Sequence, residues 1–482
     1  MTDAAMKNEQ PRGPVLAEAR KRTKGETETI RYVLDPALSG LGHGKRYLIH
    51  TYGCQANESD TERMRGILEA LGYRMTQSEI QSDLILLNTC AIRASAETKV
   101  FGELGRLKQL KEGNPGLLLA VGGCMPQEEE TIAKILKTYH QVDFVFGTHN
   151  VHRLGELIRD AANSKKTIVE VQSEEGAILE GAPAVRANAS KAWINIMTGC
   201  DEFCTYCIVP YTRGKERSRR PDAILNELRG LIDRGYREVT LLGQNVNSYG
   251  LDFSDETVRF ADLLDQARLL PIERIRFTTS HPKDFTDDLI AVLAKGGNLM
   301  PYIHLPVQSG SDGVLKRMNR KYTREEYLDL VRRIRAVIPD ISLTTDVIVG
   351  FPGETDEDFE RTLSLVLEAG FEGAYTFMFS PRAGTPAAKY PDTIASDVKK
   401  ARLLRLNELV NAQFKAGNQR FEGAILDVLV DGVSKTNPGM LSGYTPHNKI
   451  VHFAGDASLI GSIVRIRILK AKTWSLDGEL HD

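Results

Sequence analysis

The chain has 482 residues, with 62 Lys and Arg against 64 Asp and Glu, and six cysteines. This length predicts two to four domains, and the balanced charge excludes a uniformly basic surface, so contact with nucleic acid requires local basic patches. The chain lacks an apolar run of membrane-spanning length and a secretory signal pattern, which favours a cytoplasmic protein whose cysteines are ligands or thiols rather than disulfides.

Residues 1–44 are polar and poor in aromatic side chains, which predicts a disordered extension. The next region, residues 45–160, has three apolar runs, at 47–50, 84–87 and 117–121, that lead into Cys54, Cys90 and Cys124. Helical patterns separate these runs, so the region reads as an α/β domain. Parallel strands bring their carboxyl ends to one edge of a sheet, where the three cysteines are expected to converge. Three ordinary buried cysteines are the alternative.

After a predicted linker at 161–187, residues 188–417 alternate strands and helices. The strands are predicted at 193–197, 239–242, 275–278, 302–305, 343–349 and 375–379. Six such units predict a partial (β/α)6 barrel of the TIM type, with its chemistry at the carboxyl ends of the strands. Residues 418–482 form short alternating runs separated by glycine turns, which predicts a small β-barrel of a shape often used on RNA.

A second cysteine triad, Cys200, Cys204 and Cys207, follows the first predicted barrel strand with CxxxCxxC spacing. Three thiolates from one loop suit an iron–sulfur cluster in which one iron remains open for another ligand. The alternatives are a zinc site completed by His281 or His304, and a disulfide with one spare thiol. We assign neither histidine a catalytic role, and no catalytic residue beyond the cysteines.

The triad within a partial barrel resembles the radical S-adenosylmethionine superfamily, and the chain from about residue 44 resembles its methylthiotransferase family. The resemblance is carried by segments 51–55, 88–93, 123–125, 207–216 and 304–310. Within the family these segments are most similar to the group that acts on dimethylallyladenosine in tRNA, with small departures at Ala56 and Pro126. Family members that modify threonylcarbamoyladenosine in tRNA or an aspartate of a ribosomal protein remain the alternatives.

The resemblance implies an N-terminal three-cysteine domain, a radical S-adenosylmethionine barrel and a C-terminal TRAM domain. It implies that Cys200, Cys204 and Cys207 hold one 4Fe–4S cluster and that Cys54, Cys90 and Cys124 hold a second. Two molecules of S-adenosylmethionine would be used per turnover. One methylates sulfur carried by the second cluster, and the other gives a radical that removes hydrogen from carbon 2 of the adenine 3′-adjacent to the anticodon.

The resemblance and the predicted strand ends together give the residues expected to contact S-adenosylmethionine. They are Gly243, Gln244, Asn245, Thr279, Ser280, Gln308, Gly350 and Glu354. The predicted partners are a tRNA anticodon stem-loop, an electron donor protein and a sulfur source, and we expect a monomer. Two basic clusters are candidates for phosphate contact. They are Arg213, Lys215, Arg217, Arg219 and Arg220, and Arg465, Arg467, Lys470 and Lys472.

Overall fold

The computed structural model describes residues 27–92, 94–171, 177–255, 257–435 and 437–481. The strands of the N-terminal part are β1 (Thr29–Arg31), β2 (Arg46–Thr51), β3 (Arg74–Met75), β4 (Leu84–Thr89), β5 (Leu118–Gly123), β6 (Phe144–Phe146), β7 (Ile168–Glu170) and β8 (Ile178–Glu180). Its helices are α1 (Gln55–Ala70), α2 (Ala94–Gly113), α3 (Glu129–Thr138) and α4 (Leu154–Ala162).

Six of these strands form one parallel sheet in the order β3-β2-β4-β5-β6-β7. Helices α1 and α4 pack on one face of it, and α2 and α3 pack on the other. The helix α1 ends at Ala70, and Gly72 follows its C-cap with a φ of 95°, the left-handed conformation that glycine adopts without strain. The predicted α/β architecture with cysteine-terminated strands is therefore confirmed.

Two predictions about the flanks of this sheet are wrong. Strand β7 pairs in parallel with β6, so the sheet continues into the segment 161–187 that was expected to be a linker. Residues 27–44 belong to the fold, because β1 pairs with β8 and Leu38 is buried in the sheet's core. The predicted disorder of residues 1–26 lies outside the described residues.

The central region is the predicted partial barrel. Its strands are β9 (Lys191–Asn195), β10 (Met197–Thr198), β11 (Arg217–Ser218), β12 (Glu238–Leu242), β13 (Arg274–Phe277), β14 (Tyr302–His304), β15 (Ser342–Val349) and β16 (Gly373–Met378). Its helices are α5 (Val209–Thr212), α6 (Pro221–Asp233), α7 (Phe260–Ala267), α8 (Asp287–Leu293), α9 (Asp312–Arg317), α10 (Arg324–Val337), α11 (Asp356–Ala369) and α12 (Ser396–Gln419).

Six parallel strands make the barrel wall in two sets of three, β9-β12-β13 and β14-β15-β16. A parallel bridge between Ile275 and Leu299 joins the sets, so the six strands follow chain order around the wall. One large apolar core lies between the strands and the helices that surround them. This arrangement places the carboxyl ends of all six strands at one mouth, as the sequence predicts.

The C-terminal strands are β17 (Ile425–Val433), β18 (Leu441–Tyr444), β19 (Ile450–Phe453), β20 (Ile463–Ala471) and β21 (Leu476–Leu480), and they close into a small barrel. Buried Arg274 and Arg276 of β13 donate hydrogen bonds to backbone carbonyls of this domain. The small barrel is thereby fixed against the large one. Within the described residues, no helix has both the length and the apolar character to cross a bilayer.

Candidate active site

The N-terminal triad assembles at the carboxyl edge of the parallel sheet. Cys54 follows β2 and caps α1, while Cys90 and Cys124 directly follow β4 and β5. Asn57 lies among the thiols, with its Oδ1 3.6 Å from Cys54 Sγ and 4.0 Å from Cys124 Sγ. Its Nδ2 donates to the Thr89 carbonyl at 2.7 Å, which ties α1 to the end of β4. The three cysteines therefore converge as the strand pattern predicts.

Three cysteines are preceded by a glycine with positive φ, at Gly53 (132°), Gly123 (99°) and Gly199 (82°). A Cβ at Gly53 would lie 2.5 Å from Cys90 Cβ, and a Cβ at Gly199 would lie 1.8 Å from the Lys215 carbonyl oxygen. Both the backbone conformation and the close approach therefore require glycine at these turns. At Cys54, Cys124 and Cys200, the preceding glycine is therefore the local signal for the turn that carries the cysteine.

The barrel triad occupies one loop after β10. Arg320 Nη1 donates to Cys204 Sγ at 3.3 Å, which places a buried cation beside the thiols. Asn319 Nδ2 donates to the carbonyls of Glu202 and Phe203, and Phe203 itself has a φ of 47°. The turn after α9 thus holds the loop in a conformation that a non-glycine residue seldom adopts.

Charge and burial shift the pKa values of individual thiols in opposite directions. A hydrogen bond from the Cys90 thiol and the nearby Arg213 guanidinium lower the pKa of Cys54 to about 5. Burial raises the pKa of Cys124, and it raises the pKa of Cys207 to about 12. The N-terminal triad therefore contains one thiol that ionises readily, whereas burial opposes ionisation of Cys207 until a metal binds.

The two histidines that could complete a zinc site are engaged elsewhere. His281 is grouped with Glu202 and Asp284, and His304 contacts Thr344 and Asp346. Among the described residues, the groups of possible metal ligands within 4.8 Å of one another contain no cysteine. Tetrahedral zinc prefers four closed ligands, whereas three soft thiolates suit an iron–sulfur cluster with one open iron.

The two triads lie on either side of one domain junction. Cys124 packs in an apolar cluster with Ile208 and Tyr211, which follow Cys207 in the barrel. Arg213, from the same barrel segment, donates to Asn57 Oδ1 at 3.2 Å and so reaches the N-terminal thiols. A cavity of about 230 Å³ adjoins this junction, lined by residues of both domains, among them Asp60, Arg213 and Gln244. The segments that carry both triads are therefore in direct contact.

The residues expected to contact S-adenosylmethionine from β12 and β13 lie at the barrel mouth. Gly243 and Gln244 line the cavity described above, and the Thr279 carbonyl accepts a hydrogen bond from the Val246 amide. Asn245 is engaged within the protein, because it donates to Asp284 and accepts from the His281 amide. Ser280 is fully buried and its Oγ has no hydrogen-bond partner among the described residues.

The expected contacts from β14 and β15 divide into two kinds. Gln308 has a φ of 72° and a buried Oε1 without a partner in the described part of the chain, so it can accept from a ligand. Glu354 instead accepts from the Gly350 amide at 2.8 Å and from Arg402 Nη1 at 2.7 Å. Its carboxylate braces the Gly350 turn, and its role as a cofactor contact stays a prediction.

One of the two basic clusters is mostly buried, whereas phosphate contact requires exposed cations. Arg213 pairs with Asp60 at 2.8 Å, and Arg219 pairs with Glu180 and Glu227, all at the domain junction. Lys215 and Arg217 are also buried, and Arg220 pairs with Asp255, so the expectation of a phosphate-binding patch here is wrong. The other cluster is accessible along and just after β20, since Arg465, Lys470 and Lys472 are exposed.

Sequence reasoning missed several residues that shape the site. Asn57 and Arg320 contact thiols, yet no motif marks them; the only signal is an amide three residues after Cys54. Aromatic packing was also missed. Tyr206, inside the cysteine loop, meets the edge of Phe351 with ring centres 6.5 Å apart, and Phe351 in turn packs on Phe379 at 5.1 Å.

Three known protein families together match most of the chain. Residues 46–147 match the "Uncharacterized protein family UPF0004", residues 194–366 the "Radical SAM superfamily", and residues 419–481 the "TRAM domain". The chain is 59% identical over 468 residues to a protein of Geobacillus kaustophilus (strain HTA426) named tRNA-2-methylthio-N(6)-dimethylallyladenosine synthase. That alignment covers 97% of this chain and 88% of the relative.

A protein of the same name from Bacillus cereus (strain B4264) is 58% identical, with 97% of this chain and 92% of the relative covered. Among solved structures, the radical S-adenosylmethionine methyltransferase TsrM from Kitasatospora setae aligns with a TM-score of 0.52 at 14% identity. The alignment covers 71% of this chain and 75% of TsrM. At that identity the likeness supports the fold alone.

Proposed function

This chain belongs to the family of tRNA-2-methylthio-N(6)-dimethylallyladenosine synthases, and from that membership we infer its reaction. It adds a methylthio group to carbon 2 of N6-(dimethylallyl)adenosine in tRNA by radical S-adenosylmethionine chemistry. The observation that carries the inference is the identity of 59% across all three domains. The contact between the loops of the two cysteine triads is the arrangement that such a reaction needs, because one nucleoside must meet both a radical and a sulfur source.

We propose that each triad holds its own 4Fe–4S cluster, through Cys200, Cys204 and Cys207 in the barrel and through Cys54, Cys90 and Cys124 in the N-terminal domain. When bound, the barrel cluster supplies the electron that cleaves S-adenosylmethionine, and the second cluster carries the sulfur. We propose a consumption of two S-adenosylmethionine molecules per turnover, one for the methyl group and one for the radical.

The chain's own residues prepare these sites in three ways. Arg213 and Arg320 place buried cations beside the two triads, which offsets the charge of thiolates in a dry interior. Ser280 and Gln308 offer buried polar atoms at the barrel mouth for a polar ligand. The buried cluster of Cys124, Ile208 and Tyr211 makes part of the junction apolar, which limits contact between water and a reactive carbon radical.

We further propose that the tRNA approaches with its anticodon stem-loop and that the exposed basic side chains of β20 contact phosphates. The target adenine must leave its stack to reach the barrel mouth, which costs roughly a few kcal/mol and less in a loop than in a duplex. An electron donor protein and a sulfur source complete the partners. We propose that the enzyme works as a monomer in the cytoplasm.

The test is an anaerobic assay of the reconstituted protein on an anticodon stem-loop RNA that carries N6-(dimethylallyl)adenosine. Nucleoside mass spectrometry is expected to detect the 2-methylthio derivative, and S-adenosylmethionine must be consumed in parallel. Matched reactions contain the same RNA with threonylcarbamoyladenosine, or a ribosomal protein. Product formation only in a matched reaction would overturn the substrate assignment, and no product in any reaction would overturn the activity.

A further inference from the structure

One strand of the barrel presents aromatic side chains to an open surface. Phe377 of β16 is 37% exposed and Tyr375 is 57% exposed, although both lie in the wall of a barrel. Within the described residues, β16 pairs only with β15, so its other edge borders the gap of the partial barrel. Large apolar side chains grouped on an open surface commonly mark a binding site.

The register of β16 fixes which way Phe377 points. Its neighbours in sequence face the outer helices, because Ala374 packs on the helix-covered core and Thr376 Oγ1 donates to Asn407 of α12. Side chains alternate along a strand, so Tyr375 and Phe377 face the barrel interior. Phe377 pairs in register with Ile348 of β15, which is half-buried on the same inner face.

The chain that follows this inner surface contacts both cysteine-bearing loops. Two residues beyond Phe377, the buried Phe379 packs on Phe351, which contacts Tyr206 between Cys204 and Cys207. The chain then reaches Arg382, whose Nη2 donates to the carbonyl of Ile92, two residues after Cys90, at 2.7 Å. The carboxyl end of β16 is thus connected to the barrel loop on one side and to the N-terminal thiol loop on the other.

A polar group borders the apolar surface on the side away from the thiols. His304 Nε2 lies 3.4 Å from Asp346, and the ring of Tyr375 meets His304 edge-on at 5.8 Å. Asp346 pairs in register with Tyr375, one inward-facing step before Ile348 and Phe377. Along β15 and β16 the inner face therefore changes from the hydrogen-bonding pair Asp346 and Tyr375 to the apolar pair Ile348 and Phe377 in the direction of the carboxyl ends.

We propose that Phe377 and Ile348 form the wall that receives the dimethylallyl group of the target nucleoside, which makes Phe377 a specificity-determining residue. This inference rests on the proposed function. A branched five-carbon substituent gains by leaving water on this surface, whereas the carboxylate of a threonylcarbamoyl group would lose hydration against the apolar carbons of Phe377 and Ile348. The wall thus favours a prenylated adenine over an unmodified or carboxylated one.

The test measures binding, so that it does not depend on turnover. Cluster-reconstituted protein with S-adenosylmethionine is titrated with two stem-loop RNAs that differ only in the dimethylallyl group, and the ratio of the two Kd values is the preference. Phe377→Ala is expected to reduce this preference roughly 10-fold or more, as loss of several apolar carbons from a pocket does. Phe377→Leu is expected to retain most of it.

Met378→Ala is the matched control, because Met378 is 38% exposed on the neighbouring position but faces away from the interior. It is expected to keep the wild-type preference, and iron content and thermal unfolding check that every variant is folded. An unchanged preference in Phe377→Ala, or an equal loss in Met378→Ala, would overturn the inference. Absence of methylthio product with wild-type protein would instead overturn the proposed function. The ratio of the two Kd values would still show whether Phe377 recognises the dimethylallyl group.

Discussion

The two cysteine triads reach similar donor sets by opposite routes. The barrel triad comes from eight consecutive residues, Cys200 to Cys207, whose loop is braced by Asn319 and Arg320. The N-terminal triad comes from three strand ends and depends on the register of the whole sheet. The barrel triad therefore depends on one loop and on the turn that braces it, whereas the N-terminal triad exists only when the whole sheet is intact.

The largest effect comes from removing one thiol of each triad. Cys204→Ala is expected to reduce S-adenosylmethionine cleavage to background, because cleavage requires the barrel cluster. Cys90→Ala is expected to retain cleavage but to form no methylthio product. Chromatographic measurement of 5′-deoxyadenosine and of modified nucleoside on the same samples separates the two outcomes. Methylthio product at wild-type level in either variant would contradict the division of labour between the triads.

Substituting the glycines that precede the cysteines is expected to disturb one triad at a time. Gly53→Ala forces a Cβ onto Cys90, and Gly199→Ala forces one onto the Lys215 carbonyl. Each is expected to cost about 1–3 kcal/mol of folding free energy from backbone strain and to lower iron at its own triad. Gly105→Ala, a helical position with no atom within 4 Å of the added Cβ, is the control.

Calorimetry and iron analysis of the three glycine variants provide the measurement. Gly53→Ala is expected to reduce iron by about half while S-adenosylmethionine cleavage persists, because the barrel cluster remains. Gly105→Ala is expected to be neutral or slightly stabilising. If Gly53→Ala and Gly105→Ala had the same iron content, the glycine turn would not be needed to assemble the N-terminal triad.

The charge pair at the junction that joins the triads is tested by substituting its cation. Arg213→Met leaves the half-buried Asp60 without its partner and is expected to lower the free energy of unfolding by about 2 kcal/mol. Arg220→Met removes an exposed pair with Asp255 and is expected to cost less than about 1 kcal/mol. Denaturant titrations of both variants give the comparison, and equal costs would contradict the burial of Arg213 at the domain junction.

The smallest effect concerns thiol chemistry in the metal-free protein and leaves the fold unchanged. With a pKa of about 5, Cys54 loses its proton between pH 4 and pH 6, so its alkylation rate should rise there and then level off. Cys207, with a pKa of about 12, should stay unreactive through neutral pH. Peptide mass spectrometry after brief treatment with iodoacetamide measures both rates. Equal rates at pH 7 would contradict the difference in pKa between Cys54 and Cys207.

The strands were predictable from sequence because their apolar runs end at chemically distinctive residues. The six barrel strands and the three cysteine-terminated strands lie within about three residues of the predicted ranges at each end. Strands β1 and β7 were missed because each has only three residues and takes its stability from a distant partner, which no local pattern reveals.

The site was predictable where chemistry is local and unpredictable where it depends on long-range pairing. The cysteines stand out by spacing, and the glycines that position them are adjacent to them. The basic run from Arg213 to Arg219 has the composition of a phosphate-binding patch, yet Asp60 and Glu180, far away in sequence, neutralise its buried members. Arg320 contacts Cys204 across 116 positions, so only the folded chain identifies it.

Counting iron and sulfide per chain after anaerobic reconstitution distinguishes two clusters from one. About eight of each are expected in the wild-type protein and about four of each when Cys54, Cys90 and Cys124 are all replaced by alanine, with S-adenosylmethionine cleavage retained in that variant. Stoichiometric zinc in place of iron, or the same iron content in both proteins, would contradict the existence of two separate three-thiolate centres.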